Sequence, residues 1–301
     1  MSEISLKATG RGRRRLLVNR AAESTAVLAA AAAIAVLAVV LWSVGSRGIG
    51  AINVDFFIKG PSSDIFGGGG GIAPAIVGSL LLVAVAVAIA LPTGVLTAIY
   101  VSEFAPKAIG RQVRLWLDVL NGFPSIVIGI FVFALAVKVK VPVLGIGGRQ
   151  SAIAGGSALA VIMLPLVARS TMEVLALVPV HLREASLALG VSKWQTVLRV
   201  VLPTSIGGIL TGTTLAVARA AGETAPLLFT CAIAGQIVDW NPTHSVQSIP
   251  LTIFEYSESA NPAQHQQAWA AAFILIVFVL VTSLTSRLLL ERSRKKLGLS
   301  R

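Results

Sequence analysis

The chain has 301 residues, of which 55% are hydrophobic and only 13% are charged, and its mean hydropathy is +0.84. Soluble domains carry about 25% charged residues, so the composition excludes an ordinary soluble protein. The formal charge of +12 suits either nucleic acid or an anionic membrane surface as a partner. A single cysteine, Cys231, excludes an internal disulfide and a multi-cysteine metal site.

Six segments satisfy the requirement of about 20 predominantly apolar residues for a membrane-spanning helix. They cover approximately residues 27–44, 72–100, 119–137, 151–168, 204–232 and 269–286. The first follows a basic stretch, as a secretory signal does, but it is long for a signal and no clear Ala-x-Ala site comes after it, so we expect it to be retained. The sequence therefore predicts an all-α integral membrane protein with six transmembrane helices.

Basic residues predict the orientation of these helices. With the N-terminus inside, nineteen Lys and Arg residues fall on the inner side and five in outer loops, which satisfies the positive-inside rule. Both termini are thus expected to be cytoplasmic. The arginines of segment 11–15 directly precede a membrane helix, so we expect them to contact anionic membrane lipid and not nucleic acid.

The predicted organisation has four parts. They are a basic tail (1–25), a first helix with a glycine-rich outer loop (26–71), a transmembrane domain (72–290) and a second basic tail (291–301). The glycine run at 67–71 lacks the G-x-x-x-x-G-K-[ST] frame of a phosphate-binding loop and is interpreted as a linker. The three histidines lack metal-ligand spacing, and no catalytic constellation is visible, so we expect neither a metal site nor an enzyme.

The connection between the fourth and fifth predicted helices carries the most specific pattern in the chain. It reads Glu184-Ala185-Ser186, then Gly190 after three residues, and Leu202-Pro203 further on. Pro179 is placed to open a helix, Gly190 interrupts it, and Pro203 is expected to start the fifth membrane helix. Two short helices around a glycine suit docking into a groove on a partner protein; the bland alternative is an ordinary amphipathic interfacial helix.

This pattern resembles the EAA loop of permease subunits of ABC importers. Segment 118–129 (DVLNGFPSIVIG) and segment 222–230 (GETAPLLFT) resemble the A-type permease of phosphate importers, and the likeness covers roughly residues 72–290. It implies a heterodimer with a C-type permease, two copies of an ATP-binding subunit, an extracytoplasmic phosphate-binding protein and a bacterial plasma (inner) membrane location. ATP and Mg would be bound by the partner ATPase, with no cofactor in this chain. The ATPase-coupling residues would be Glu184, Ala185, Ser186, Gly190, Leu202 and Pro203.

Three charged residues are candidates for the substrate path. Arg219 and Glu223 lie inside the fifth predicted helix, where an arginine is costly unless it faces a partner or an aqueous path. They either neutralise each other or offer the guanidinium group to a passing phosphate. Arg169, at the inner end of the fourth helix, either adds an anion contact or extends to the membrane interface.

Alternatives remain open for the function and for one loop. The same architecture serves other oxyanions such as sulfate or molybdate, and a secondary transporter driven by an ion gradient is a less favoured hypothesis. The last outer loop, about residues 233–267, contains Asp239, Glu255 and Glu258 without a Lys or Arg. It either docks a binding protein or is a solvated loop.

Overall fold

The computed structural model describes residues 11–61, 70–138, 150–231 and 237–296. Within these ranges the regular secondary structure is helical, apart from one isolated bridge between Pro61 and Gly70. The helices are α1 (Arg11–Gly48), α2 (Val54–Ile58), α3 (Ala73–Ile99), α4 (Lys107–Gly122), α5 (Ser125–Phe133), α6 (Ala152–Ala176), α7 (Val180–Ala188), α8 (Lys193–Thr196), α9 (Leu202–Ala221), α10 (Leu227–Thr230), α11 (Ile249–Ser257) and α12 (Pro262–Lys296). Three π-helical turns continue α3 to Phe104, extend α5 to Lys138 and join α8 to α9.

Five helical runs in the described residues are long and apolar enough to cross a membrane. These are α1, α3, α6, the continuous run Lys193–Ala221 and α12, and the bent pair α4–α5 is a sixth candidate. The spans predicted at 27–44, 72–100, 151–168 and 269–286 correspond to α1, α3, α6 and α12. The all-α membrane prediction is therefore confirmed.

The third predicted span, 119–137, was wrong as a single helix. The chain breaks at Phe123-Pro124, and α4 and α5 meet at an angle of 97°. Pro124 lacks an N–H and clashes with a helical conformation of the residue before it, which pushes Phe123 into an extended conformation at φ −69°, ψ 137°. The helical part of the predicted span before this break belongs to α4, which runs in a different direction from α5.

The fifth predicted span, 204–232, was wrong at both of its ends. Helix α9 ends at Ala221, and α10 begins only at Leu227 after Pro226; residue 232 lies outside the described residues. Pro203 lies in the first turn of α9, as predicted, but the helical run extends back through a π-helical turn and α8 to Lys193. A π-helical turn at Val197–Val201 precedes the proline and accommodates its missing N–H.

Helix α6 lies at the centre of the packing. Of its most apolar stretch 72% is buried, against 6% for α1, which leaves α1 largely for lipid. Glycines let the neighbouring helices approach α6 closely: a Cβ on Gly94 of α3 would lie 3.0 Å from Val167, and one on Gly208 of α9 would lie 2.6 Å from Val174. Small residues are the usual means of close helix packing in a membrane.

The bundle has two ends that can be told apart without reference to a membrane. We call the end at which α6 finishes and the run Lys193–Ala221 begins the loop end, because segment 177–203 lies there. At the opposite end the backbone N–H of Ala152 donates to His244 and that of Ile249 donates to Ser79 Oγ. Helix α11 and the first residues of α12 lie within the last predicted outer loop.

The described parts of the predicted tails and of the long connection contain more helix than the sequence indicates. Helix α1 begins at Arg11 and α12 continues to Lys296, so the described parts of both basic tails extend membrane helices. Helix α6 runs to Ala176, beyond the predicted start of the connection at residue 169. Residues 1–10, 62–69 (including most of the glycine run) and 297–301 lie outside the described residues.

Candidate functional site

The loop-end segment 177–203 forms two short helices that meet at a glycine. Pro179 is the N-cap of α7, as its position predicts. Gly190 has φ +78°, and its N–H donates to Leu187 O at 3.0 Å, so it ends α7 in the left-handed conformation that favours glycine. Gln195 Oε1 then accepts from both the N–H and the hydroxyl of Ser192, which fixes the start of α8.

One face of this segment is turned inward and holds the two short helices together. The hydroxyls of Ser186 and Thr196 are 2.9 Å apart, and both side chains are buried. A larger residue at position 186 would separate α7 from α8. The small residue of the Glu-Ala-small pattern therefore has a structural reason in this chain.

The other face of the segment is open. Glu184, Ala185 and Gly190 are exposed, and so are the large apolar side chains of Leu189 and Trp194 at 84% and 57%. Leu202 is half-buried, and Pro203 is exposed on the first turn of α9. Exposed apolar side chains on a segment that is braced from behind are the arrangement expected of a docking surface.

Arg183 and Glu103 connect this segment to the end of α3, and sequence reasoning missed the pair. Arg183 Nη2 lies 2.8 Å from Glu103 Oε1, with the glutamate side chain only 8% exposed. The available signal was the position of Glu103, which is the first charge after a charge-free window of 38 residues from Ile65 to Ser102. Arg183 itself was counted only as an inner-side cation.

Arg219 and Glu223 lie at a helix break, not on one continuous helix face as predicted. Arg219 is in the last turn of α9, and Glu223 follows Gly222 in the irregular stretch before α10. Their closest atoms, Nε and Oε1, are 3.9 Å apart, with side chains 56% and 18% exposed. An ion pair this long and this open is weak, so the guanidinium group retains donors for another anion.

Arg169 has a partner that the sequence did not indicate. It forms an ion pair with Asp118 of α4, and both side chains are about half exposed. The pair lies beside an open cavity of about 640 Å³, which is also lined by Lys107, Arg111 and Arg114 of α4. These cations form one face of α4.

The structure does not bring the three predicted substrate-path residues together. Arg169 lies about 10 Å before the end of α6, at the loop end, on the basis of the 1.5 Å rise per helical residue. Gly208 and Gly212 of α9 lie against Val174 and Ser170 of α6, and in this antiparallel register Arg219 is level with about residue 163, the middle of α6, about 9 Å further along the bundle than Arg169. They therefore belong to different levels of the bundle.

The two segments that resemble phosphate permeases do meet in space. Gly129 of α5 lies directly against Pro226, which precedes α10: a Cβ at position 129 would be 2.5 Å from the Pro226 Cα. Segment 118–129 contains the α4–α5 break, and segment 222–230 contains the α9–α10 break. Two interrupted helices are thus in contact beside the Arg219–Glu223 pair.

Known proteins resemble this chain in sequence and in fold. The family described as "Binding-protein-dependent transport system inner membrane component" matches residues 90–295. The chain belongs to this family. It is also 37% identical over 256 residues to the phosphate transport system permease protein PstA of Haemophilus influenzae, spanning 85% of this chain and 87% of that protein. The PstA of Xylella fastidiosa (Temecula1) is 38% identical over 94% of this chain and 96% of its own.

Two further comparisons agree with this assignment. A probable PstA of Methanocaldococcus jannaschii is 40% identical over 74% of this chain and 75% of its own. A solved inward-facing structure of the MetNI methionine ABC transporter superposes with a TM-score of 0.57 at 18% identity, covering 74% of this chain and 94% of that chain. That likeness confirms the ABC importer permease fold.

Family membership confirms several predictions. The chain is a multi-pass inner membrane permease and not itself an enzyme, since ATP hydrolysis in such transporters is done by a separate ATPase. It works in a transporter complex with an ATPase and a binding protein.

Proposed function

We propose that this chain is the A-type permease subunit of an ATP-driven importer of inorganic phosphate. Phosphate is proposed as the substrate because the chain is 37–40% identical, over 74–94% of its length, to proteins named as phosphate permeases. The two segments that resemble such permeases lie on opposite sides of one packing contact, Gly129 against Pro226. This arrangement supports a shared role in one translocation path.

The loop end faces the cytoplasm, and segment 177–203 docks onto the ATPase. The exposed face of α7 and α8, with Leu189 and Trp194 projecting, supports this assignment. So does the excess of basic residues on that side, which also supports a cytoplasmic location for both termini. ATP and Mg are bound by the partner ATPase, and this chain converts nucleotide-driven closure of that partner into movement of its helices.

The substrate path passes Arg219 and Glu223. A half-exposed guanidinium group can bind a phosphate oxyanion with two parallel hydrogen bonds, and the loosely held Glu223 keeps it oriented between transport cycles. Arg169 borders a basic cavity at the loop end, where phosphate leaves the path. Several cationic groups without a deep cage allow both capture and release.

The complete transporter contains a C-type permease, two ATPase copies and an extracytoplasmic phosphate-binding protein. Large apolar side chains are exposed on α5 and on α9. We propose that the second permease packs against them. Among them are Ile130 (47%), Phe131 (60%) and Leu215 (67%). The last loop before α12, which includes α11, lies on the outer side and meets the binding protein.

Uptake of radiolabelled phosphate tests this function in cells that lack the chain, with and without its restoration. We expect restored uptake that excess phosphate or arsenate abolishes and that sulfate and molybdate leave unchanged. Competition by sulfate or molybdate, or transport of either one instead, would overturn the substrate assignment and leave the permease architecture in place.

A further inference from the structure

The end of α3 is attached to both short helices of the loop-end segment. Glu103 and Phe104 are the last two residues of the π-helical turn that continues α3. Glu103 binds Arg183 of α7, and the Phe104 ring lies 5.3 Å from the Nζ of Lys193 at the start of α8. Consecutive residues of α3 therefore contact the segment on both sides of Gly190.

Arg183 uses its planar fork for three acceptors at once. Nη2 donates to Glu103 Oε1 and to Leu175 O, each at 2.8 Å, and Nη1 donates to Val178 O at 2.6 Å. Leu175 and Val178 lie at the end of α6, where backbone carbonyls have no helical partner. A single arginine thus joins the ends of α3, α6 and α7, and a lysine ammonium group cannot reproduce this geometry.

The contact with α3 is not a consequence of chain connectivity. Helix α7 follows α6 directly and α8 leads directly into α9, so any movement of the segment reaches those two helices through the backbone. Glu103 is 80 residues away from Arg183 in sequence. The side-chain contacts of Glu103 and Phe104 attach the segment's two short helices to the end of α3, and Val101 packs in one apolar cluster with Val178 and Val201 of the same segment.

We propose that the Arg183–Glu103 pair and the contact of Lys193 with Phe104 transmit movement of the loop-end segment 177–203 to α3. Helix α3 would then be the third helix to move with this segment, after α6 and α9. The inference rests on the proposed function, in which an ATPase moves this segment. When the ATPase closes, the segment carries the end of α3 with it, in addition to α6 and α9. Arg183 and Glu103 are positioning residues: they touch no substrate, and they determine how much of the movement reaches the path.

Spin labels test this linkage without any need for phosphate. One label is placed at Leu96 of α3 and the other at Leu284 of α12, both of which are exposed, while the native Cys231 is buried. In the complete transporter we expect nucleotide trapping to change the distance between the labels. In Glu103→Gln and Arg183→Lys the change should be lost or reduced to less than half. A full change of distance in both variants would overturn the proposal.

A coupling measurement gives an independent readout. In liposomes containing the complete transporter, the phosphate moved per ATP hydrolysed should fall about tenfold in Glu103→Gln, within the range of typical coupling energies, while ATP hydrolysis stays within about twofold of the wild-type rate. An unchanged ratio would contradict the linkage. A wild-type transporter that shows the distance change but moves no phosphate would count against the substrate assignment and support the linkage.

Two further variants separate the linkage from general damage. Asp55→Asn breaks the exposed Lys59–Asp55 ion pair, which lies away from the segment, and it should leave both the distance change and the ratio unchanged. Phe104→Leu keeps an apolar side chain, buries no charge and removes only the ring under Lys193. We expect it to lower the ratio about twofold to threefold, in line with the small energy of an exposed cation–π contact. No effect of Phe104→Leu, together with a failure of Glu103→Gln to assemble, would overturn the proposal.

Discussion

Gly129 of α5 lies directly against the backbone of Pro226, so the interrupted helix α4–α5 is in contact with the interrupted helix α9–α10. A Cβ on Gly129 would be 2.5 Å from the Pro226 Cα and 2.8 Å from its carbonyl oxygen. Neither backbone atom can move as the end of a flexible side chain could. The contact therefore fixes α5 relative to the α9–α10 break, which carries Glu223.

Substitution of Gly129 by alanine should separate these two breaks. We expect Gly129→Ala to lower the free energy of unfolding by about 1–3 kcal/mol, as for other overpacked sites, and to reduce phosphate uptake strongly. Thermal unfolding in detergent and uptake in cells would measure both effects. Gly122→Ala is the matched control, because no atom lies within 4 Å of a Cβ there. Equal behaviour of the two variants would contradict the proposed contact.

Substitution of Gly190 should uncouple the docking segment without unfolding the membrane domain. Proline fixes φ near −65° and lacks the N–H that donates to Leu187 O, whereas Gly190 has φ +78°. We expect Gly190→Pro to reduce uptake to background while the chain still inserts into the membrane.

Asparagine provides the control for Gly190, because it tolerates the left-handed conformation better than other residues with a side chain. Gly190→Asn should retain most of the uptake. Normal uptake by a well-expressed Gly190→Pro variant would show that the turn at the end of α7 is not needed for coupling.

These positions also show how far the sequence leads. Hydropathy located α1, α3, α6 and α12, because a long charge-free segment in a bilayer must form a helix to satisfy its backbone hydrogen bonds. It failed at Pro124 and at Gly222–Pro226, where the apolar composition continues although the helix stops. Composition averages over such breaks, and only the local chemistry of proline and glycine reveals them.

The docking segment was predictable in outline, while its attachments were not. Pro179 and Gly190 predict the start and the end of α7, because the backbone preferences of proline and glycine are local to those residues. By contrast, the Arg183–Glu103 and Arg169–Asp118 pairs join residues 80 and 51 positions apart, and no local pattern connects them. The sequence likewise assigned Arg169 and Arg219 to one substrate path by their charge, whereas the register of α9 on α6 sets them about 9 Å apart along the bundle.

The weak Arg219–Glu223 ion pair leads to different expectations for its two members. The two charged groups are 3.9 Å apart and the arginine side chain is 56% exposed, so breaking the pair costs on the order of 1 kcal/mol, and neither Arg219→Gln nor Glu223→Gln should unfold the protein. We expect Arg219→Gln to abolish uptake, because the anion loses its guanidinium partner, and Arg219→Lys to retain a small part of it. A loss of thermal stability that parallels the loss of uptake would instead indicate a purely structural pair.

Glu255 on α11 gives the protein a pH-dependent stability. Burial raises the pKa of this carboxyl from its ordinary value of 4.5, and the hydrogen bond from Gln247 opposes the shift. Because the folded state binds the proton more tightly than the unfolded state, stability falls as the pH rises from 4.5 through the folded-state pKa. The ionised form is therefore destabilising at neutral pH.

The variant Glu255→Gln should remove this penalty. Its unfolding temperature at pH 7 should exceed that of the wild type, and the difference should vanish below pH 4.5, where both side chains are neutral. Scans in detergent from pH 4 to pH 8 would measure this. The exposed Glu258→Gln serves as the control and should show no such crossover. A destabilised Glu255→Gln at pH 7 would contradict the assignment.

The most direct test of the account is ATP-dependent phosphate transport by the purified complex in liposomes, with this chain, its permease partner, the ATPase and the binding protein all present. We predict accumulation of labelled phosphate that requires ATP and the binding protein and that disappears with Gly190→Pro in this chain. Accumulation driven by an ion gradient in the absence of ATP, or an unchanged signal with Gly190→Pro, would contradict it.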